Sequence, residues 1–267
     1  MCLLTFVPAG VQPDLTALCN GTLINQDGHG YAIVTDGQIL VHHGMNADEV
    51  IDAFAQTRGR HHDGPALFHS RFATHGTTRL DNCHPFAVGG DPRTVIAHNG
   101  VLPANVQPAK HDPRSDTRIA AEAFIPSLGS LRVRRIRKQI ERWMGEHNKI
   151  VVLTVDRSFT QQAYILNEPS GTWDGGIWYS NDGYLPPRYP NSGRLWNYQG
   201  WDDQDDRGLD LPDRCPNCWP AIAESGVCTE CGCCVDCRQF LEYCQCYQPA
   251  HPNPQSTIPT LGQLHHT

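Results

Sequence analysis

Nine of the twelve cysteines lie between Cys215 and Cys246; only Cys2, Cys19 and Cys83 precede them. That division constrains the fold more than any other feature, because the two parts must be held together by different physics. A secreted disulfide scaffold spreads its cysteines through the fold. Here a long segment almost free of cysteine precedes a short one saturated with it, a pattern that suits metal binding in a reducing compartment better. Cys215-Pro-Asn-Cys218 and Cys228-Thr-Glu-Cys231 are two C-x2-C pairs, and Cys234 and Cys237 add ligands at the same spacing. Four thiolates in a tetrahedron are what a structural zinc ion takes. One site could use Cys215, Cys218, Cys228 and Cys231, or these could interleave with Cys234 and Cys237, and a second ion could use the remaining pairs. Iron–sulfur ligation, disulfides and unliganded thiols are the alternatives, and the spacing does not assign the pairing. A module this small has little core and is expected to fold around its metal.

The long segment has enough material for one domain: 267 residues in all, 39% hydrophobic, with 24 glycines and 20 prolines. A formal net charge of -7 argues against a broad nucleic-acid surface, which needs clustered positive charge. No run approaches the roughly 18 apolar residues of a membrane span, and no basic stretch precedes a long apolar one as in a signal peptide. A cytoplasmic protein is expected.

Leu3–Val7 reads as a short buried strand, and 15–20 as a helix or helical turn ending at Gly21. Tyr31–Thr35 and Gln38–Val41 flank Asp36-Gly37, a strong hairpin signal. Asn46 with Glu49 three residues later predicts a capped helix running to Gly59. His61 and His62 have no spaced partner and read as exposed loop. Strands follow at 66–73 and 94–97, then a helix capped by Ser115 and running through Leu128. Val133, Ile136, Ile140 and Trp143 or Met144 mark a second helical stripe. The opposite face carries Arg132, Arg134, Arg135, Arg137 and Lys138; it reads as a solvated face or a surface for a partner. Strands are predicted at 150–155, 163–166 and 176–179. Many short strands with about two substantial helices predict an α+β fold of antiparallel sheets with helices packed outside them. No βαβ repeat and no glycine-rich phosphate loop is present.

Polar residues cluster at the ends of these strands: Ser70-Arg71-Phe72-Ala73-Thr74-His75-Gly76, Ala97-His98-Asn99-Gly100 and Ser115-Asp116-Thr117. Singly, each has an ordinary explanation. Asn-Gly is a common turn, Arg71 could pair at a surface, and Asp116 sits just past a helix cap, where the helix dipole favours an acid. Cys2 could likewise be an ordinary start. Yet a small residue at position 2 permits removal of Met1, and the new chain end would carry a thiol and a free amine on one residue. An α-amine titrates near about 7.7–8.0, suited to a general base at neutral pH, and it can activate the nucleophile beside it.

Taken in order, Met1-Cys2, Arg71-Phe72-Ala73-Thr74-His75-Gly76, Asn82-Cys83-His84-Pro85-Phe86, His98-Asn99-Gly100 and Ser115-Asp116-Thr117 resemble the motifs of class II glutamine amidotransferases. These belong to the N-terminal-nucleophile hydrolase superfamily. Asp27-Gly28-His29-Gly30-Tyr31 looks like the family's glycine-rich strand entry. The resemblance covers about residues 2–190 and implies a four-layer αββα sandwich. It implies that Cys2 is nucleophile and, through its amine, base. Arg71 would hold the α-carboxylate of L-glutamine, Asp116 its α-ammonium, and Asn99 and Gly100 an oxyanion; Thr74 and His75 would shape the pocket. His84 would be structural. L-Glutamine would give L-glutamate and ammonia through a Cys2 thioester, without a catalytic cofactor. The chain carries no recognisable ammonia-using domain, so the resemblance implies an acceptor synthetase in trans. The alternatives are a stand-alone amidase acting on a γ-glutamyl or other acyl amide, and an interaction protein whose zinc module matters while the amidase domain is vestigial.

The expected organisation is therefore an amidotransferase domain over 2–190, an aromatic and acidic linker over 191–214, a cysteine-rich zinc module over 215–246 and a disordered tail over 247–267. Metal analysis checks the module. Full-length protein should carry zinc, and a chain truncated at about residue 210 should carry none; full-length protein without bound metal would contradict the assignment.

Overall fold

The computed structural model describes residues 2–73 and 76–186, together with the backbone of 223–224 and 227–228. Two units divide the chain, Met1–Gly193 and Arg194–Thr267. Among the described residues of the first, ten strands form two antiparallel sheets: β1 (Leu3–Val7), β2 (His29–Val34), β3 (Ile39–Gly44), β4 (Ala66–Ser70), β5 (Phe86–Val88), β6 (Asp91–Asn99), β7 (Lys149–Thr154), β8 (Ala163–Leu166), β9 (Thr172–Asp174) and β10 (Ile177–Tyr179). The order is β3-β2-β4-β1-β10-β9 in one sheet and β5-β6-β7-β8 in the other. The helices are α1 (Leu15–Ile24), α2 (Ala47–Arg60), α3 (Asp116–Ile119), α4 (Ile125–Leu128) and α5 (Arg134–Met144), with a π-helical segment, Ala120–Phe124, joining α3 to α4. In the second unit the described backbone is an antiparallel pair, β11 (Ala223–Glu224) and β12 (Val227–Cys228).

The period-two alternation of the strands sorts their side chains into three cores. Leu3 and Val7 of β1, Tyr31 and Ile33 of β2 and Phe68 of β4 pack on Leu18 of α1 and Phe54 of α2. The intervening residues Leu4, Phe6, Ala32, Val34 and Leu67 face the other sheet and meet Val95, Ala97, Val151 and Leu153 around the fully buried Trp178. Ile96, Ile150 and Val152 leave the far face of that second sheet and pack on Ile125, Ile136 and Ile140. The layers therefore run helices, sheet, sheet, helices. Two-sided burial explains why four of the five β1 residues are apolar, with Thr5 buried among them.

Several boundaries differ from expectation, each for a local reason. Helix α1 continues past Gly21 to Ile24, because Gly21 lies inside the helix where it crosses β1. A Cβ there would come within 2.3 Å of Leu3 Cδ2. Strand β4 stops at Ser70 rather than residue 73, since Ala73 N–H turns to the Asp27 carboxylate. Strands β5 and β9, three residues each, carry too little pattern to be read from sequence. The capping of α2 by Asn46 and of α3 by Ser115 is as predicted. Arg137 of the basic stripe is only partly exposed: its guanidinium lies 3.9 Å from the Tyr164 ring centre and donates to the Leu131 and Arg132 carbonyls. Among the described residues, no helix is long and apolar enough to cross a membrane.

Arg58, on the last turn of α2, is fully buried and ties two loops together. Its guanidinium donates to the carbonyls of Pro8 (2.6 Å), Val11 (3.0 Å), His61 (3.1 Å) and Gly64. Removing it takes the donor from the part-buried carbonyls of Val11, His61 and Gly64, so Arg58→Met should cost roughly 2–4 kcal/mol. Chemical denaturation checks this; an unchanged midpoint would show that the clamp contributes nothing.

Candidate active site

Strand β1 starts one residue after Cys2 and pairs with β4 on one side and β10 on the other. This brings the ends of three strands beside Cys2. From the end of β4, Phe72 N–H donates to Cys2 Sγ at 3.2 Å. From the end of β6, Asn99 Nδ2 donates to the Cys2 carbonyl at 2.6 Å, and just past β10 Asn181 Nδ2 donates to the same oxygen at 2.8 Å. A hollow of about 20 Å³ at Cys2 is lined by Arg71, Phe72, His84, His98, Gly100, Ser115, Asp116 and Thr117. That is room for about one water molecule. A larger cavity, about 320 Å³, lies elsewhere, between α5 and strands β8 and β9, lined by Phe6, Arg137, Tyr164, Glu168 and Trp173 among others. None of the site residues predicted from sequence lines it.

Of those residues, Cys2, Arg71, Gly100 and Asp116 come together at the small hollow. Asn99 lies beside it, 1% exposed, with its amide donors directed at the Cys2 carbonyl and at Ser180 Oγ, 2.6 Å away. Thr74 and His75 lie outside the described residues, as do Cys215, Cys218, Cys231, Cys234 and Cys237; of Cys228 only the backbone is described. No group of three or more metal-ligating side chains occurs among the described residues.

The charged residues are firmly held. Arg71 is 3% exposed and donates through Nη1 to the Thr77 carbonyl at 3.0 Å. Asp116 accepts Leu102 N–H at 2.9 Å on one oxygen and Thr117 N–H at 2.7 Å on the other. Asn82 fastens the intervening loop, donating to the Thr77 and Pro113 carbonyls and accepting Ser115 N–H. Gly100 has φ +136°, and a Cβ there would fall 2.2 Å from Asn148 Oδ1, so both backbone and space require glycine. Burial raises the Cys2 thiol pKa; the Phe72 N–H and the Arg71 charge act in the opposite direction.

His84 and His98 of the hollow's lining belong with His29 and His69 to a cluster of buried histidines whose packing against one another no single motif signals. The His69 and His84 rings are 4.0 Å apart. His69 Nε2 donates to the His98 carbonyl at 3.0 Å, while its Nδ1 has no partner among the described residues. His98 Nε2 donates to Asn148 Oδ1 at 2.8 Å, and its Nδ1 lies 2.9 Å from Thr117 Oγ1, next to Asp116. His29 Nδ1 lies 3.3 Å from Ser70 Oγ. The roles of Asn148, Ser180 and Asn181 were also missed. A signal for the last two existed: like Arg71 and Asn99, they are polar residues at the end of an apolar strand.

No protein-family model and no curated protein matches the chain. Among solved structures it is similar to a B. subtilis glutamine phosphoribosylpyrophosphate amidotransferase complexed with ADP and GMP. The identity there is 16% over 67% of this chain and 41% of the other, with TM-score 0.42. A structure described as the allosteric regulatory enzyme of purine biosynthesis matches at 20% identity over 58% of this chain and 35% of the other, TM-score 0.40. A glutamine aminotransferase class-II domain protein from Silicibacter pomeroyi matches at 14% identity over 59% and 79%, TM-score 0.28. The chain thus spans well under half the length of the first two. The similarity is remote, and the residues themselves must carry the chemistry.

The histidines give the site a pH signature. Burial lowers the pKa of His69 and His84 well below the ordinary value, and lowers those of His29 and His98, the last partly offset by Asp116. In the unfolded chain each would take a proton near its ordinary pKa of about 6.5, and in the fold each resists it. Their contribution to stability is therefore complete above about pH 6.5 and is lost as pH falls below it, by up to about 1.4 kcal/mol per histidine per pH unit. The melting temperature should drop between about pH 7.5 and 5.5, and drop less in His69→Phe. Equal melting temperatures at both pH values would contradict neutral burial.

Proposed function

We propose that the first unit hydrolyses L-glutamine to L-glutamate and ammonia, with Cys2 as nucleophile once Met1 has been removed. The observation that carries this reading is the convergence of Cys2, the buried Arg71 and Asp116, and Gly100 on one hollow. It is supported by the order of the strand-end motifs, which resembles that of N-terminal-nucleophile amidotransferases. Arg71 offers a planar fork for the α-carboxylate, and Asp116 a fixed anion for the α-ammonium. The hollow must widen for an amino acid to enter.

In this mechanism the Cys2 amine takes the thiol proton and the sulfur attacks the side-chain amide carbon. Negative charge gathers on the amide oxygen, where the Gly100 N–H and one donor of Asn99 stabilise it. Losing such a donor costs roughly 2.7–4 kcal/mol in a comparable hydrolase. Collapse expels ammonia, with the proton supplied by the Cys2 ammonium, and leaves a γ-glutamyl thioester; water activated by the amine then releases glutamate. The ammonia would pass to a synthetase supplied in trans, and the 215–246 segment, folded around zinc, would dock that partner.

Glutamine turnover by protein with an untagged N-terminus tests the reading. Intact mass should show Met1 missing from active protein. Cys2→Ser should lose turnover by on the order of 10³-fold or more, while Cys19→Ser and Cys83→Ser keep it. Arg71→Lys should raise KM by about tenfold or more, because a point charge does not reproduce the bidentate fork. Glutamine acylated at its amine and amidated at its carboxyl should not be turned over; equal turnover of both forms would favour the broader amidase instead. Full activity in protein retaining Met1 would overturn the mechanism.

A further inference from the structure

We propose that Asn181 is a positioning residue for the nucleophile: it holds the Cys2 carbonyl so that Asn99 can turn a donor to the reacting amide. This rests on the glutaminase reading. The carbonyl belongs to Cys2 whether or not Met1 is present, so the anchor survives processing, whereas the amine is created by it.

The argument is a count of donors. Asn99 Nδ2 carries two hydrogens, and its two bonds run to the Cys2 carbonyl at 2.6 Å and Ser180 Oγ at 2.6 Å. To stabilise a developing oxyanion it must release one of them. Releasing a buried acceptor normally leaves that acceptor unsatisfied, at a cost of about 1–3 kcal/mol. Here both acceptors have a second donor. Ser180 Oγ also receives Leu4 N–H at 2.9 Å, and the Cys2 carbonyl also receives Asn181 Nδ2 at 2.8 Å. Asn99 can therefore move without orphaning either oxygen, and Cys2 stays where it is.

The orientation of Asn181 is fixed by chemistry as well as by distance. Its Oδ1 accepts Gly183 N–H at 2.9 Å, a group that can only donate, while its other end meets a carbonyl, which can only accept. A flipped amide would lose both bonds. The turn it caps is itself braced. The Tyr184 ring stacks on Tyr179 with centres 4.0 Å apart, and the Tyr184 carbonyl accepts Asn20 Nδ2 from α1 at 3.0 Å. Ser180 N–H donates to the Leu4 carbonyl at 2.9 Å, which fixes the start of this segment to β1. Asn181 is thus held from behind, with its donor directed at the nucleophile's backbone.

A role in capping the turn alone is the competing explanation, and two variants of the full chain separate it. Asn181→Asp keeps the oxygen that caps Gly183 but presents an acceptor to the Cys2 carbonyl. Asn181→Ser can also cap the turn, adds no charge and is too short to reach Cys2. Both should melt close to wild type, lower kcat for glutamine by roughly 10- to 100-fold and leave KM unchanged. Both should also slow alkylation of Cys2 by iodoacetamide, read by peptide mass mapping. If either variant melts like wild type and turns over glutamine and alkylates at wild-type rates, the proposal is overturned. Wild-type protein that alkylates at Cys2 yet leaves glutamine intact would instead fault the glutaminase reading. Slowed alkylation in the two variants would then still support the positioning role.

Discussion

The position of Cys2 depends on the two-sided burial of β1. Five consecutive residues, Leu3–Val7, are buried, paired by β4 and β10 at their edges and covered on both faces. A strand so enclosed cannot slip by one residue without turning Leu4 and Phe6 out of the space between the sheets. The residue just before it is therefore delivered to one place. The hydrogen bonds from Asn99 and Asn181 complete the anchorage, one reaching from each sheet.

That anchorage explains why the candidate site gathers at strand ends. Arg71 follows β4, His98 and Asn99 end β6, and Ser180 and Asn181 follow β10, all at the same end of the layered structure as Cys2. In the most buried strands, β1 and β7, the interior side chains on both faces are largely committed to cores. At the strand ends the backbone turns away and polar side chains can face one another.

Burial also sets the electrostatics. Around Arg71 the histidines 29, 69, 84 and 98 are disfavoured as cations, both by desolvation and, for His69 and His84, by the guanidinium itself. Neutral imidazoles are thus the form compatible with a buried arginine, and they leave Arg71 and Asp116 as the main opposite charges lining the hollow. His98 takes part through Thr117, whose hydroxyl donates to the His98 Nδ1 while the Thr117 N–H donates to the Asp116 carboxylate. The wider cavity beside α5 has opposite charges of its own, the Lys138–Glu141 pair, but no cysteine, so size alone does not mark the candidate site.

The sequence by itself determined the strands with long alternating or apolar runs, the Asp36-Gly37 hairpin and the caps at Asn46 and Ser115, and it singled out Cys2, Arg71, Asn99, Gly100 and Asp116 as candidates for one site. These were legible because each rests on local chemistry: a period, a turn dipeptide, a capping oxygen, or an ordered motif. The nearest neighbours of Cys2 were decided only in three dimensions. Asn181 stands 179 residues from Cys2 and no local signal links the two, while the bond of Asn99 to the Cys2 carbonyl spans 97 residues. The histidine cluster likewise draws on β2, β4 and β6 and on the loop before β5. The inclusion of Gly21 within α1 depends on Leu3 across the interface. Each of these rests on sheet pairing and layer packing between distant segments, which side-chain periodicity along one segment cannot encode.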